Sequence, residues 1–337
     1  MNLFKKAAVF TDLHLGLKSN SITHNEDCLH FIDWFISTAK ENGCDSCFFL
    51  GDFFHNRNNI NLLTMDYGLK IVQLLNDSFK RVIFIPGNHD CYYKDKRSIH
   101  SIQWAKHLPN IEILNDWHTE GDVLFVPWMV GDDHKKISKA KAKYMFGHFE
   151  LPSFLMNQMV RMPDVGEVKA ENFKNVEKVF SGHFHKRQVQ NNICYIGNAF
   201  PHNYADAWDD TRGMMILTWD EEPEFYTWPS APKYRVYKLS DLVQNPSKLE
   251  ANSYAKVHLD LDISYEEAGF IKESFIKDYN LREVSLISNV RDDEHTVDTV
   301  QGEITFESVD TIVTNNITAI ESDFYSTNLL LDIYRGL

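Results

Sequence analysis

The chain is short of positive charge. Its 34 lysines and arginines stand against 48 acidic residues among 337, a formal net charge of −14. Proteins that grip a nucleic-acid backbone ordinarily show basic surface, so a uniformly basic face is excluded and only local patches remain. Cysteine is scarce too. Five residues, an odd number, argue against a disulfide framework and for a reducing compartment, the cytosol. Cys44 and Cys47 have redox or zinc spacing, but no second pair exists to complete a zinc site. That segment reads instead as a turn leading into a strand. No apolar run reaches the roughly 20 residues of a membrane helix. The N-terminal lysines lead straight into a strand, so no signal peptide is expected. No internal repeat or low-complexity stretch stands out. The hydrophobic content of 43% fits a well-buried core, in one large or two modest domains.

What the chain does have is a series of short segments ending in metal-binding side chains. In order they are Asp12-Leu13-His14, Gly51-Asp52, Gly87-Asn88-His89-Asp90, Gly147-His148 and Gly182-His183-Phe184-His185. With His89 and Asp90 set aside, these supply two Asp, one Asn and four His. Such oxygen and nitrogen donors suit manganese, iron or zinc. An apolar run precedes each: Ala7–Phe10, Cys47–Leu50, Val82–Ile85, Tyr144–Phe146 and Val179-Phe180. Runs of this kind, closed by Gly or Pro, read as buried strands. A ligand past the C-terminal end of every strand predicts five loops on one edge of a sheet, where open α/β sheets bind their ligands.

This series resembles the signature of the calcineurin-like metallophosphoesterases over roughly residues 5–220. The resemblance implies an α/β fold, a metallophosphoesterase β-sandwich flanked by helices. It also implies two divalent metal ions. Asp12, His14 and His185 would hold one and Asn88, His148 and His183 the other, with the Asp52 carboxylate bridging. Two cations about 3.5–4 Å apart can clamp a phosphodiester and activate water. His89 is implied to be catalytic, facing the phosphate, and the alternative is a histidine that shapes its loop. Asp90 is expected to accept from an imidazole N–H.

A narrower resemblance rests on His55, three residues beyond Asp52, on Val126-Pro127-Trp128-Met129, on Tyr195-Ile196-Gly197-Asn198, and on Asp210-Thr211-Arg212-Gly213 before the strand Met214–Trp219. These look like the SbcD-type DNA double-strand-break repair nucleases, including the exonuclease subunits of T-even phage recombination. The resemblance implies a manganese-dependent 3′→5′ double-strand exonuclease and single-strand endonuclease working with an SbcC-type ATPase partner in DNA recombination and repair. The compartment would then be a cytoplasm, such as that of a phage-infected bacterium. One departure is Gly197-Asn198 where relatives often have Gly-Thr or Gly-Ser, which is expected to touch loop detail rather than metal binding. Two other readings stay open: a phosphodiesterase acting on a small nucleotide, and a non-catalytic scaffold that loads the ATPase on DNA.

His55 reads either as a catalytic or phosphate-contacting group at the metal rim or as a surface histidine at a helix start. His24, His30, His100, His107, His118, His134, His258 and His295 have no motif around them and default to structural or exposed roles. His202, after Pro201, lies in a loop that could approach the site. Lys94, Lys96 and Arg97, the five lysines from Lys135 to Lys143, and Lys186-Arg187 lie close in sequence to the metal motifs and suggest a DNA track.

Helices are expected over Glu26–Asn42, with Gly43 as the stop, and over Thr64–Asn76. In SbcD-type proteins helices in this neighbourhood form a homodimer, and Ser98–His107 is a candidate second element. The nuclease domain is expected over 1–228 and a small α/β capping or DNA-binding domain over 234–290. In the latter, Val257 to Ile263 alternates as a strand, Ser264 and Glu267 form a capping box, and Arg282–Ser288 is a further strand. An acidic linker is expected over 291–304. A helical tail over 305–337 carries Phe306, Val309, Ile312, Val313, Ile317 and Ile320, then Phe324, Leu330, Ile333 and Tyr334. By resemblance it docks on the ATPase subunit; packing against this chain is the alternative.

Overall fold

Strands buried on both faces build the centre of the fold. The protein is described from a computed structural model over residues 2–288. In β1 (Lys6–Phe10), β2 (Ser46–Phe49) and β3 (Arg81–Phe84) nearly every side chain is buried. With a period of two, Ala8, Phe10, Cys47, Phe49, Val82 and Phe84 point one way and Ala7, Val9, Phe48 and Ile83 the other. The first set packs with Phe31, Phe35, Ile71 and Val72 from the helices Ile22–Glu41 and Leu62–Ser78. The second set meets Phe125, Tyr144, Phe146 and Phe180 of another sheet.

Further along the chain come β4 (Ile111–Ile113), β5 (His118–Glu120), β6 (Val123–Val126), β7 (Ala142–His148) and β8 (Val176–Gly182). They are followed by β9 (Gln188–Gln190), β10 (Ile193–Tyr195), β11 (Gly213–Thr218) and β12 (Glu224–Thr227). One sheet has the order β12-β11-β1-β2-β3-β4 and the other β5-β6-β7-β8-β10-β9. The run β1-β2-β3-β4 is parallel, as is β6-β7-β8-β10. The outer face of the second sheet is closed by Phe149, Phe154 and Phe173 against Met145, Val179 and Tyr195.

The expectation of five loops on one sheet edge is corrected here. Three of the loops follow β1, β2 and β3, while two follow β7 and β8 of the facing sheet. A parallel strand buried on both faces reads as an unbroken apolar run, so the sequence pattern carries no sign of which sheet a strand joins. The helix expected from Glu26 starts at Ile22, where the Ser21 side chain accepts from the His24 amide, and Gly43 follows its end at φ 73°. Ser98–His107 forms only a short 3₁₀ segment, Gln103–His107, and not a helix of the expected length.

The chain divides into two compact units, one ending at Tyr234 and one beginning at Arg235. The sheet of the second has the order β13 (Lys233–Lys238), β14 (Ser253–Leu259) and β15 (Glu283–Ser288). The helix Tyr265–Asp278 opens on the expected Ser264–Glu267 capping box. Leu239, Leu242, Ala255, Val257, Val284 and Leu286 form its core. The strand expected to run from Val257 to Ile263 ends at Leu259. The regions 291–304 and 305–337 lie outside the described residues.

Candidate metal centre

The five loops bring their oxygen and nitrogen atoms together at one point. Asp12 is fully buried; its Oδ2 accepts from the Thr11 hydroxyl at 2.7 Å and from the His183 amide at 3.0 Å. Its Oδ1 has no hydrogen-bond partner among the described residues. That oxygen lies 3.7 Å from His14 Nε2 and 3.9 Å from His185 Nε2, and the two imidazole nitrogens are 3.3 Å apart. On the other side, Asn88 Oδ1 is 3.1 Å from His148 Nε2 and 2.9 Å from His183 Nδ1. Asp52 stands between the two groups. Its Oδ2 is 3.6 Å from His14 Nε2 and 3.5 Å from His148 Nε2, and its Oδ1 accepts from the His89 amide at 2.8 Å.

These separations test whether the donors fit a metal pair. Ligand atoms each about 2.0–2.2 Å from one ion lie about 3–3.5 Å from one another. The orphaned Asp12 Oδ1, aimed between two imidazole nitrogens, matches that arrangement. So does the His148 ring, whose Nδ1–H donates to the Leu50 carbonyl at 2.6 Å and leaves Nε2 facing Asp52 and Asn88. The seven residues singled out in the sequence for metal binding therefore meet in two groups joined by Asp52, and they fit two divalent ions.

Electrostatics point the same way. Burial alone would raise the Asp12 carboxyl, but its hydrogen bond with His14 and the nearby imidazoles hold it at about 2. Burial would likewise lower His148, and the Asp52 charge beside it raises it instead to about 9. The carboxylates draw positive charge into a largely buried site, and metal ions compete with protons for the same nitrogens.

The loops are strained to reach this geometry. Asp12, His14, Asp52 and His183 adopt left-handed backbone at φ 50°, 51°, 62° and 88°. Non-glycine residues there are uncommon and cluster at functional sites. Close approach requires glycine at two further points. A Cβ on Gly87 would sit 2.2 Å from Asp52 Oδ1, and one on Gly182 would sit 2.1 Å from Thr11 Oγ1.

Asp90 holds two of these loops together in a way not foreseen. It was expected to accept from an imidazole, but its carboxylate takes backbone amides instead. Oδ2 accepts from Asp52 N at 2.7 Å and Gly87 N at 2.9 Å; Oδ1 accepts from Phe53 N at 2.9 Å and the Ser101 hydroxyl at 3.1 Å. The imidazole of His89 turns elsewhere, donating Nδ1–H to the His55 carbonyl at 2.6 Å. Its Nε2 is thus the nitrogen left for a substrate.

His55 is half-buried, stacks on His89 with ring centroids 5.2 Å apart, and places Nδ1 3.4 Å from His14 Nδ1. The next helix starts only at Leu62, so the helix-start reading is set aside. His55 and His89 line a cavity of ≈ 660 Å³ together with Asn20, Arg57, Asn59 and Asn61.

Three further side chains stand beside the cluster, of which only His202 was read in the sequence as able to approach the site. His24, given a default role, is buried and donates Nε2–H to the His14 carbonyl at 3.0 Å. Glu150, two residues after His148, faces His183 Nε2 at 3.3 Å. His202 is buried against His14 and His185. Glu150 carried a sequence signal in its place in the Gly-His-Phe-Glu segment, His202 in its loop after Pro201, and His24 none.

The proposed basic track is corrected in part. Arg97 is tied down, donating to the Asn115 and Trp128 carbonyls and to Asp133. Lys135, Lys136, Lys143 and Lys186 pair with Asp132, Asp133, Asp220 and Asp209. Arg187 is largely buried over the Phe225 ring. Among the described residues Lys94, Lys139 and Lys141 have no ion pair.

Comparison with known proteins gives one curated relative, exonuclease subunit 1 of Enterobacteria phage T4, 29% identical over 224 residues. The match covers 64% of this chain, which spans about two-thirds (65%) of that relative's length. Among solved structures, the nuclease MPE of Pseudomonas putida is similar over 53% of this chain and 61% of its own, at 16% identity and a TM-score of 0.30. A dimetal phosphatase from Danio rerio is similar over 67% and 100%, at 10% identity and a TM-score of 0.43. No helix among the described residues is long and apolar enough to cross a membrane. Residues 5–187, more than half of the chain and the stretch that carries Asp12 through His185, match the calcineurin-like phosphoesterases, and this chain belongs to that family of metal-dependent phosphoester hydrolases.

Proposed function

We propose that the chain is a two-metal-ion DNA nuclease, with 3′→5′ double-strand exonuclease and single-strand endonuclease activity. In this reading it is the catalytic subunit of an SbcC/SbcD-type complex that processes DNA ends in recombination and repair. The observation that carries the chemistry is the Asp52 carboxylate, set between Asp12/His14/His185 and Asn88/His148/His183. The relative from phage T4 is an exonuclease subunit, which supports DNA as substrate and a second subunit as partner. Manganese is the metal proposed for the two sites.

When bound, a pair of divalent cations supplies Lewis-acid polarisation of the phosphoryl group and lowers the pKa of the attacking water. The chain's own residues do the rest. Asp12 and Asp52, both buried, offset the positive charge. His14, His148 and His183 fix the geometry of the site, their second ring nitrogens facing His55, the Leu50 carbonyl and Glu150, and His185 adds a fourth imidazole. His89, anchored through Nδ1, presents Nε2 to the phosphate, and only as the imidazolium would it carry an Nε2 proton to stabilise the phosphate charge or to pass to the departing sugar oxygen. His55 holds both its neighbours at the rim.

Much of the lysine charge is paired within the chain, which supports a nuclease that takes its grip on DNA from a partner, the SbcC-type ATPase subunit. The same observation favours a second reading, a small nucleotide diester as substrate. A homodimer is supported by the apolar cleft of ≈ 690 Å³ lined by Leu29, Leu69, Leu74, Trp104 and Leu108. The proposed setting is cytoplasmic.

The test is manganese-dependent degradation of end-labelled duplex DNA, run beside a chromogenic phosphodiester and the His89→Ala variant. Duplex degradation that the variant lacks supports the nuclease reading. Diester cleavage with DNA left intact, even after the ATPase subunit is added, favours the small substrate.

A further inference from the structure

We infer that His202 is an eighth metal-binding residue, a third imidazole on the ion held by Asp12, His14 and His185. This rests on the two-metal reading above and extends it to a residue outside the five motifs. His202 is 1% exposed, and neither ring nitrogen has a hydrogen-bond partner among the described residues. Its ring lies 5.5 Å from that of His14 and 5.3 Å from that of His185, edge to face with both. His14, His185 and His202 each offer a ligand atom within 4.8 Å of the others.

A packing role alone does not account for this residue. Its other ring neighbours are Phe200, at 5.0 Å, and His24, at 5.4 Å. A buried polar atom without a partner is rare in native proteins and calls for an explanation such as an ion. Next to a cluster that already fits a cation, a free imidazole lone pair has one: it completes the coordination of that cation.

The loop that carries His202 is built to hold it there. Its backbone N–H donates to Asp206 Oδ2 at 3.0 Å, and its carbonyl accepts from the Tyr234 hydroxyl at 2.8 Å. Asp206 is fixed in turn by the fully buried Arg212, whose guanidinium also donates to Asn198 and Asp209. Pro201 sets the preceding backbone. The stretch 198–212 and Tyr234 thus keep the His202 loop in place.

The consequence is a pair of unequal sites. With His202 the first ion has three imidazoles, Asp12 and the bridging carboxylate, while the second has two imidazoles, Asn88 and the same carboxylate. The nitrogen-richer site binds later first-row divalent ions more tightly, and it leaves fewer positions open to substrate.

The experiment is a calorimetric titration of manganese into metal-free wild type, His202→Phe and His202→Ala, with unfolding of each in chelator as the control for folding. Wild type should take up two ions. The phenylalanine variant keeps the ring's bulk without its nitrogens and should keep one site while weakening the other roughly 10–100-fold. Two sites of wild-type affinity in a folded variant would overturn the assignment to His202 and leave the two-metal reading intact. Failure of wild type to bind any metal would overturn both. If neither variant folds, a crystal structure of manganese-loaded wild type decides the matter. A His202 nitrogen about 2.0–2.3 Å from an ion supports the assignment, and one beyond about 3.5 Å refutes it.

Discussion

Replacing Asp90 by asparagine should loosen the site without replacing a single proposed ligand. The carboxylate joins the loop after β2 to the loop after β3 through five donors. An asparagine must put its NH2 where one oxygen stood. In the place of Oδ2 it would face two backbone amides, Asp52 and Gly87, both donors themselves. In the place of Oδ1 it would face the Phe53 amide, the more distant Phe54 amide at 3.5 Å and the Ser101 hydroxyl, and the hydroxyl can turn to accept. The second orientation is therefore favoured, at the expense of one short backbone hydrogen bond and one long one, about 1–3 kcal/mol. For a unit of this size that corresponds to a fall in Tm of roughly 3–9 °C. Burial and the Asp52 charge raise Asp90 to about 6, so the comparison belongs at a pH of about 8, where the wild-type group is ionised. Melting in chelator reads the loss of the loop tie by itself, and manganese titration reads its effect on the bridging Asp52. An unchanged Tm in chelator would refute the reasoning, since no rotation of the amide satisfies all five donors.

Other perturbations separate chemistry from scaffold. Asp12→Ala or His89→Ala should abolish DNA cleavage while leaving the circular dichroism spectrum unchanged; wild-type rates in either would remove the role assigned to that residue. Arg97→Ala, which breaks a buried pair with Asp133 and frees two carbonyls, should destabilise the chain by about 3–5 kcal/mol in urea unfolding without altering the salt dependence of DNA binding. His100 is held at about 4 rather than 6.5 because burial disfavours the imidazolium. Its contribution is complete above pH 6.5 and is lost as pH falls from there towards 4. Wild type should therefore lose about 1–2 kcal/mol more than His100→Leu across that window in chelator, and parallel profiles would contradict this. Gly87→Ala should push Asp52 Oδ1 aside and cost roughly 100-fold in cleavage rate, and a wild-type rate would show that the loop yields more easily than the geometry allows.

The candidate metal-binding set was legible because each motif follows a strand end, and a strand end has a local signature: an apolar run and then the polar side chain, with a glycine between them in all but the Asp12 motif. Asp12 and His183 are far apart in the chain, yet the His183 amide donates to Asp12 Oδ2, and each could be read from its own few neighbours. What the sequence withheld was long-range. Strands buried on both faces do not alternate, so β1 to β3 could not be told apart in sheet membership from β7 and β8. His24 and His202 stand in ordinary helix and loop contexts, and only the fold turns them toward His14. Lys143 and Lys186 looked free because their partners, Asp220 and Asp209, lie 77 and 23 residues away, whereas Lys135 and Lys136 pair with Asp132 and Asp133 only three residues before them. Asp90 was read as a partner for histidine since side chains, not turned-in amides, are what a motif displays.

The most direct test of the binuclear centre is electron paramagnetic resonance of the manganese-loaded chain, with Asp52→Asn beside it. Two ions sharing Asp52 about 3.5–4 Å apart should give an exchange-coupled spectrum at two equivalents, which collapses to isolated-ion signals or is lost in the variant. A single uncoupled ion in the wild-type protein, or coupling that survives in Asp52→Asn, would contradict the account.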